Sequence, residues 1–276
     1  MVGELVGQAM ADPGLGGTRN ICLIVEYDGT EFCGWQRQQR GRSVQEELER
    51  ALATLLRETV GVTGAGRTDA GTHALGQVAS FRTASSIALA RLCAGLNGLL
   101  PPDVAVRAAR DVPPEFHARF SARSKRYRYR IHVGKAALAR RYVWAVPRSL
   151  DAAAMRAAAA ALRGTHSFGA FCKQDPVPPN LDCRVIDVEL VERGCELIFE
   201  IEANRFLRHM VRTVVGTLQE IGAHRRPGSD MAALLASGRR DLAGRTAPAR
   251  GLCLVQVKYP GDERSDAGAA PDGAPG

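Results

Sequence analysis

Between Gly64 and His73 the chain reads Gly-Ala-Gly-Arg-Thr-Asp-Ala-Gly-Thr-His, setting one carboxylate and one guanidinium among three glycines. Glycine lets the backbone take positive φ and lets a ligand approach closely. Functional side chains concentrate on loops of this kind carried by a rigid base. Asp69 is the only acid between Glu58 and Asp103, so its chemistry is that of a lone carboxylate, a nucleophile or a base. The structural alternative is an Asx-turn, in which Asp69 bonds only its own backbone. Simple glycoside hydrolysis needs a second carboxylate, and none can be located. Asp69 and His73 fall one ligand short of a metal site. The Gly64–Gly66 run lacks the Gly-Lys-Ser/Thr ending of a phosphate-binding P-loop.

A second constellation lies at Ser124-Lys125-Arg126-Tyr127-Arg128-Tyr129-Arg130-Ile131. As a strand it puts Lys125, Tyr127, Tyr129 and Ile131 on one face and Arg126, Arg128, Arg130 and His132 on the other. Guanidinium groups interleaved with aromatic rings suit RNA, the cations for phosphates and the rings for unstacked bases. The alternative is a half-buried strand with a solvated cationic face. Arg205, Arg208 and Arg212 are spaced three and four apart, which predicts one helix face. The formal net charge of +8 and the pI near 9.4 fit an anionic partner, with nucleic acid the usual one. Seven scattered cysteines without a C-x-x-C pair argue against a disulfide framework and a structural zinc. With no leader pattern after Met1 and no apolar run long enough to span a bilayer, the expectation is a cytoplasmic protein with reduced thiols.

The elements that must hold these groups read as follows. Ile21–Tyr27 is a central strand, and Asp28-Gly29-Thr30 a turn. Ser43 opens a helix through a capping box with Glu46, and Val44, Leu48, Ala51, Leu52 and Leu55 form its buried stripe. The glycine loop falls between short strands at 60–62 and 77–81. A helix at 87–97 and a strand at 104–107 complete a first part, 20–113. The second part, 114–260, holds the Arg/Tyr strand, an Ala-rich helix at 151–162, a proline-bearing surface loop at 168–181 and a hairpin about Arg193-Gly194. It ends with a long helix opened by Asn204, a short helix near Met231 and a strand at 252–259. Residues 1–19 and 261–276 read as disordered tails.

Motifs in order from about Ile21 to Pro260 carry a resemblance. Glu26-Tyr27-Asp28-Gly29, Gly34-Trp35-Gln36-Arg37-Gln38, Ser43-Val44-Gln45 and Gly66–His73 lie in the first part. Phe116–Ala122 with Arg126–Tyr129, then Asn204–Arg212 and Thr246–Ala249 with Gly251-Leu252, lie in the second. In these the chain resembles the tRNA pseudouridine synthase A family, which converts uridines at positions 38 to 40 of the tRNA anticodon arm. The resemblance implies an α+β fold of two similar halves. Their antiparallel sheets would join into one continuous sheet, with helices on one side and an active-site cleft on the other. It implies a homodimer acting on tRNA, with no cofactor and no metal. It makes Asp69 the nucleophile and Arg212 the cation that keeps it ionised. Tyr127 would stack on the uracil and help remove its C5 proton. Arg67 would hold open the gap left by the extruded base, and Arg126, Arg128 and Arg208 would contact the tRNA. The segment Phe171–Arg184 and the tail past Pro260 match no family pattern. The competing reading is an RNA-binding protein without chemistry.

Overall fold

In the computed structural model, residues 17–173, 176 and 178–262 are described. The expected tails lie outside these residues, apart from the few nearest the fold. One ten-stranded sheet forms the frame. Its strands are β1 (Arg19–Tyr27), β2 (Thr63–Gly64), β3 (His73–Thr83), β4 (Val104–Val112) and β5 (Ser124–Val133), then β6 (Trp144–Val146), β7 (Gly164–Ser167), β8 (Asp182–Arg193), β9 (Glu196–Ala203) and β10 (Leu252–Lys258). The main path runs β4-β1-β3-β10-β5-β9-β8-β7, with β2 on β3 and β6 on β5. Most pairings are antiparallel. β10 lies parallel to β3 through Cys253↔His73 and Leu254↔Ala74, and antiparallel to β5 through Leu254↔Tyr127. β10, the last strand among the described residues, therefore closes the seam between the glycine-loop strand and the Arg/Tyr strand.

Among the described residues five helices pack on this frame: α1 (Val44–Leu56), α2 (Leu89–Leu99), α3 (Ala152–Ala160), α4 (Met210–Gly222) and α5 (Asp230–Ser237). Ser43 caps α1 by accepting from the Glu46 N–H at 3.4 Å, and Asp151 caps α3 by accepting from the Ala154 N–H. Val44, Leu48, Ala51 and Leu52 of α1 are buried, as the stripe predicts. α4 is buried along nearly its whole length. None of the described helices is long and apolar enough to cross a membrane.

Two expectations change. The long helix starts at Met210, not Asn204. Asn204 instead accepts from the Arg184 N–H at 2.9 Å and donates its own N–H to the Arg184 carbonyl, so it ties the end of β9 to β8. Arg205 and Arg208 consequently lie outside the helix that carries Arg212, and no common helix face exists. The front of the proposed surface loop is core: Phe168, Ala170, Phe171 and Cys172 are fully buried, packed beneath α4 and α5. As alternation predicts, Tyr127, Tyr129 and Ile131 share a sheet face, opposite Ile201, Phe199 and Leu197 of β9.

Candidate active site

The glycine loop is positioned by the segment between β1 and α1. Trp35 donates its N–H to the Thr68 carbonyl at 3.2 Å, and Gly71 donates to the Phe32 carbonyl at 3.2 Å. The Tyr27 hydroxyl lies 2.8 Å from the Thr68 hydroxyl, and the Gln77 amide donates to the Gly66 carbonyl at 2.9 Å. Thr72 closes the turn by donating to the Asp69 carbonyl. Gly34 has φ of +105°, and a Cβ built there would lie 2.5 Å from the Thr68 carbonyl oxygen. Gly34→Ala should therefore cost about 2–3 kcal/mol from backbone strain and overlap. Thermal unfolding is expected to show Tm lowered by roughly 5 °C or more.

Held this way, Asp69 points at the start of α4. Arg212 donates from Nη1 to Asp69 Oδ2 at 3.0 Å. Its Nε donates to the Ala247 carbonyl at 2.8 Å, and its own carbonyl accepts from the Ala247 N–H at 3.0 Å. The Thr246–Pro248 segment thus fixes both ends of the arginine. Pro248 is itself held by the Tyr129 hydroxyl at 2.7 Å. The pair is partly open to solvent, the Asp69 side chain being 24% exposed and that of Arg212 16%. An ionised carboxylate is thus reachable by a ligand while it is bonded to a permanent cation.

Tyr127 lies on the same face. Its ring meets Phe206 edge-on with centroids 4.9 Å apart. Burial, reinforced by the nearby Tyr27 and Asp69, pushes its phenol well above the usual tyrosine range, so it stays protonated. Its hydroxyl forms no hydrogen bond with another described residue. Arg67 stands exposed at the rim, its Nε donating to Gln36 Oε1 at 3.1 Å.

Arg126 and Arg128 are placed elsewhere. They lie on the opposite sheet face, where Arg126 bonds Glu202 at 3.0 Å and Arg128 bonds Glu200 at 2.6 Å. Arg130 likewise bonds Glu196. The cationic row thus meets an acidic row on β9. Burial works against charge on Glu202, but Ser124, Arg126 and Lys258 outweigh it and hold its carboxyl below the usual range. Arg208 is exposed and free of carboxylate partners among the described residues.

One residue at the site went unassigned in the sequence. His209 Nε2 lies 3.6 Å from Asp69 Oδ2, with its backbone in the left-handed region at φ 65°. Burial lowers its pKa; Asp69 opposes that, while Arg212, Arg208 and Lys173 add to it. Its imidazole is therefore neutral near pH 7, and Arg212 is the cation on Asp69. The left-handed turn at His209 aims the first turn of α4 at the loop, a consequence of backbone geometry that no residue type announces.

This chain belongs to the tRNA pseudouridine synthase family, isomerases that act on tRNA uridines: the family model matches residues 23–121 and 158–260. Several relatives carry the more particular name tRNA pseudouridine synthase A. One from Citrifermentans bemidjiense is 47% identical over 87% of this chain and 98% of its own length. One from Cronobacter sakazakii is 46% identical over 87% and 90%. One from Halalkalibacterium halodurans is 45% identical over 85% and 90%.

Proposed function

We propose that the chain isomerises uridines 38, 39 and 40 in the anticodon stem-loop of tRNA, with Asp69 as nucleophile. The reading rests on the Asp69–Arg212 ion pair, formed by residues 143 positions apart and lying on the sheet face that carries Tyr127. The target base leaves the RNA stack, as chemistry on a nucleobase in a stem requires, and Arg67 at the rim fills the gap. The Asp69 carboxylate then attacks ribose C1′ or uracil C6. The N1–C1′ bond breaks, the uracil turns within the cleft, C5 bonds to C1′, and the bond between the Asp69 oxygen and the nucleotide breaks, returning the free carboxylate. The proton on C5 is lost and N1 gains one, so the change is an isomerisation with no external reductant or oxidant. Burial of the carboxylate against the substrate raises the cost of its charge, and Arg212 offsets this.

Tyr127 floors the cleft beneath the uracil and relays the C5 proton, its oxygen accepting that proton as its own passes on. Tyr127→Phe keeps the ring and removes the relay. We expect tRNA affinity within about twofold of the parent and kcat lower by roughly 100-fold, measured by tritium release from C5-labelled uridine. The unit of function is a homodimer in the cytoplasm, each subunit built of halves at 20–113 and 114–260. The discriminating experiment uses transcribed tRNAs in which positions 38, 39 and 40 carry uridine one at a time. Tritium release from those tRNAs and not from uridines elsewhere supports the reading. Binding without release would return the chain to the non-catalytic alternative.

A further inference from the structure

The basic character of the chain is not spread evenly. Arg126, Arg128, Arg130 and Lys258 all meet carboxylates on β9. Lys125 does not. It is half-buried, and among the described residues it has no acidic partner. The charges that act on it come from Arg119 and Arg205, both cations, which together with burial lower its pKa. Its side chain lies over the catalytic loop: a methyl built on Gly66 would sit 3.2 Å from Lys125 Cε and 3.8 Å from Nζ.

Each of the three cations stands on a fixed mount. Lys125 is two residues from Tyr127 on the same face of β5, about 7 Å along the strand. Arg119 follows Ala118, whose N–H donates to the Ser80 hydroxyl at 3.2 Å and whose carbonyl accepts from the Tyr259 hydroxyl at 2.6 Å. Its guanidinium lies over the exposed Phe120 ring, 5.5 Å from the centroid. Arg205 sits between Asn204, tied to Arg184, and Phe206, whose ring touches Tyr127. Neither arginine has a carboxylate partner among the described residues. A half-buried amine with two guanidinium charges acting on it and no acid to balance them costs stability unless an anion joins them. A folded chain that neutralises its other strand cations so thoroughly leaves this group for a ligand.

We propose that Lys125, Arg119 and Arg205 form a cradle for one backbone phosphodiester of the RNA, a phosphate flanking the uridine extruded onto Tyr127. The proposal rests on the functional reading above and adds to it the point at which the strand is gripped. Holding that phosphate fixes the sugar of the target nucleotide relative to Asp69, which positions C1′ and C6 for attack. Phosphate contacts set register and carry no sequence information, so the cradle serves different tRNAs equally.

The test uses tRNA in which single phosphates around the target uridine are replaced, one at a time, by neutral methylphosphonates. Affinity is measured in the Asp69→Asn background, where nothing turns over. One replacement should weaken binding roughly tenfold. In the Lys125→Met variant, which keeps the side chain's length and packing, the unmodified tRNA should already show that loss. The same methylphosphonate should then add nothing. The slope of log affinity against log salt should become shallower by roughly 0.7–0.9, and Lys125→Arg should restore both readouts. Equal methylphosphonate losses in the parent and in Lys125→Met would overturn the cradle. So would unchanged RNA binding with an altered oligomeric state, which would assign the cations to a protein contact. Tritium release by the unaltered enzyme, measured alongside, keeps the two readings apart. If that release fails, the functional reading is at fault; if it proceeds while the methylphosphonate pattern fails, only the cradle falls.

Discussion

Arg212→Ala is expected to abolish most turnover and to loosen the fold as well. The guanidinium makes two bonds at once, to Asp69 Oδ2 at 3.0 Å and to the Ala247 carbonyl at 2.8 Å. Its removal leaves the partly exposed carboxylate without its cation and frees the segment that Ala247 anchors. Because both side chains keep some contact with water, the stability loss falls below that of a fully buried pair. About 1–3 kcal/mol is expected, measured as a lowered Tm or denaturant midpoint. The loss in kcat should be roughly 100- to 1000-fold, the range for a charged group that stabilises a reacting centre. Arg212→Lys should recover much of the stability, since one cation is restored. It should recover less of the rate, because a lysine cannot hold Asp69 and Ala247 in the same fixed fork.

Asp69→Asn should have the larger effect on rate and the smaller one on folding. The amide keeps the shape of the carboxylate. The loop itself is held by Trp35, Tyr27, Gln77 and Gly71, none of which bonds the Asp69 side chain. Melting behaviour and tRNA affinity should therefore stay close to those of the parent. The amide oxygen is a far poorer nucleophile than a carboxylate. A loss of at least about 10⁴-fold in kcat is expected, in line with removal of a nucleophile elsewhere. Retained binding with lost turnover separates a chemical role from the Asx-turn reading, under which Asp69→Asn would be nearly silent.

The parts of the site legible in the sequence are those coded locally. Glycines around a lone acid mark the Asp69 loop, and strict alternation marks the two faces of β5. The capping box and apolar stripe mark α1. What was not legible depends on pairings between distant segments. Arg126, Arg128 and Arg130 do share one face, as alternation predicts. Their partners Glu196, Glu200 and Glu202 alternate too, and the two rows meet only because β5 pairs with β9 in one register. Asn204 carries a helix-start signal, but its amide is taken by Arg184 across the sheet, so α4 begins six residues later. The prolines that mark the loop after Lys173 said nothing about Phe168 and Phe171 just before them, which are buried because α4 and α5 cover them. Arg212 came from resemblance alone. No property of residue 212 by itself distinguishes it from Arg205 or Arg208, and only the helix start and the left-handed turn at His209 direct it to Asp69.

The central claim is that a bond forms between Asp69 and the target nucleotide. It is tested most directly with tRNA carrying 5-fluorouridine at the target position. On the C6 route the Asp69–C6 bond is still present when C5 must lose its proton, and fluorine cannot leave in its place, so the reaction should stall with enzyme and RNA still joined. Mass spectrometry of the denatured complex is predicted to find the RNA attached to the peptide that contains Asp69, and to find none in Asp69→Asn. Attachment at another side chain, or an undiminished yield from Asp69→Asn, would contradict the account.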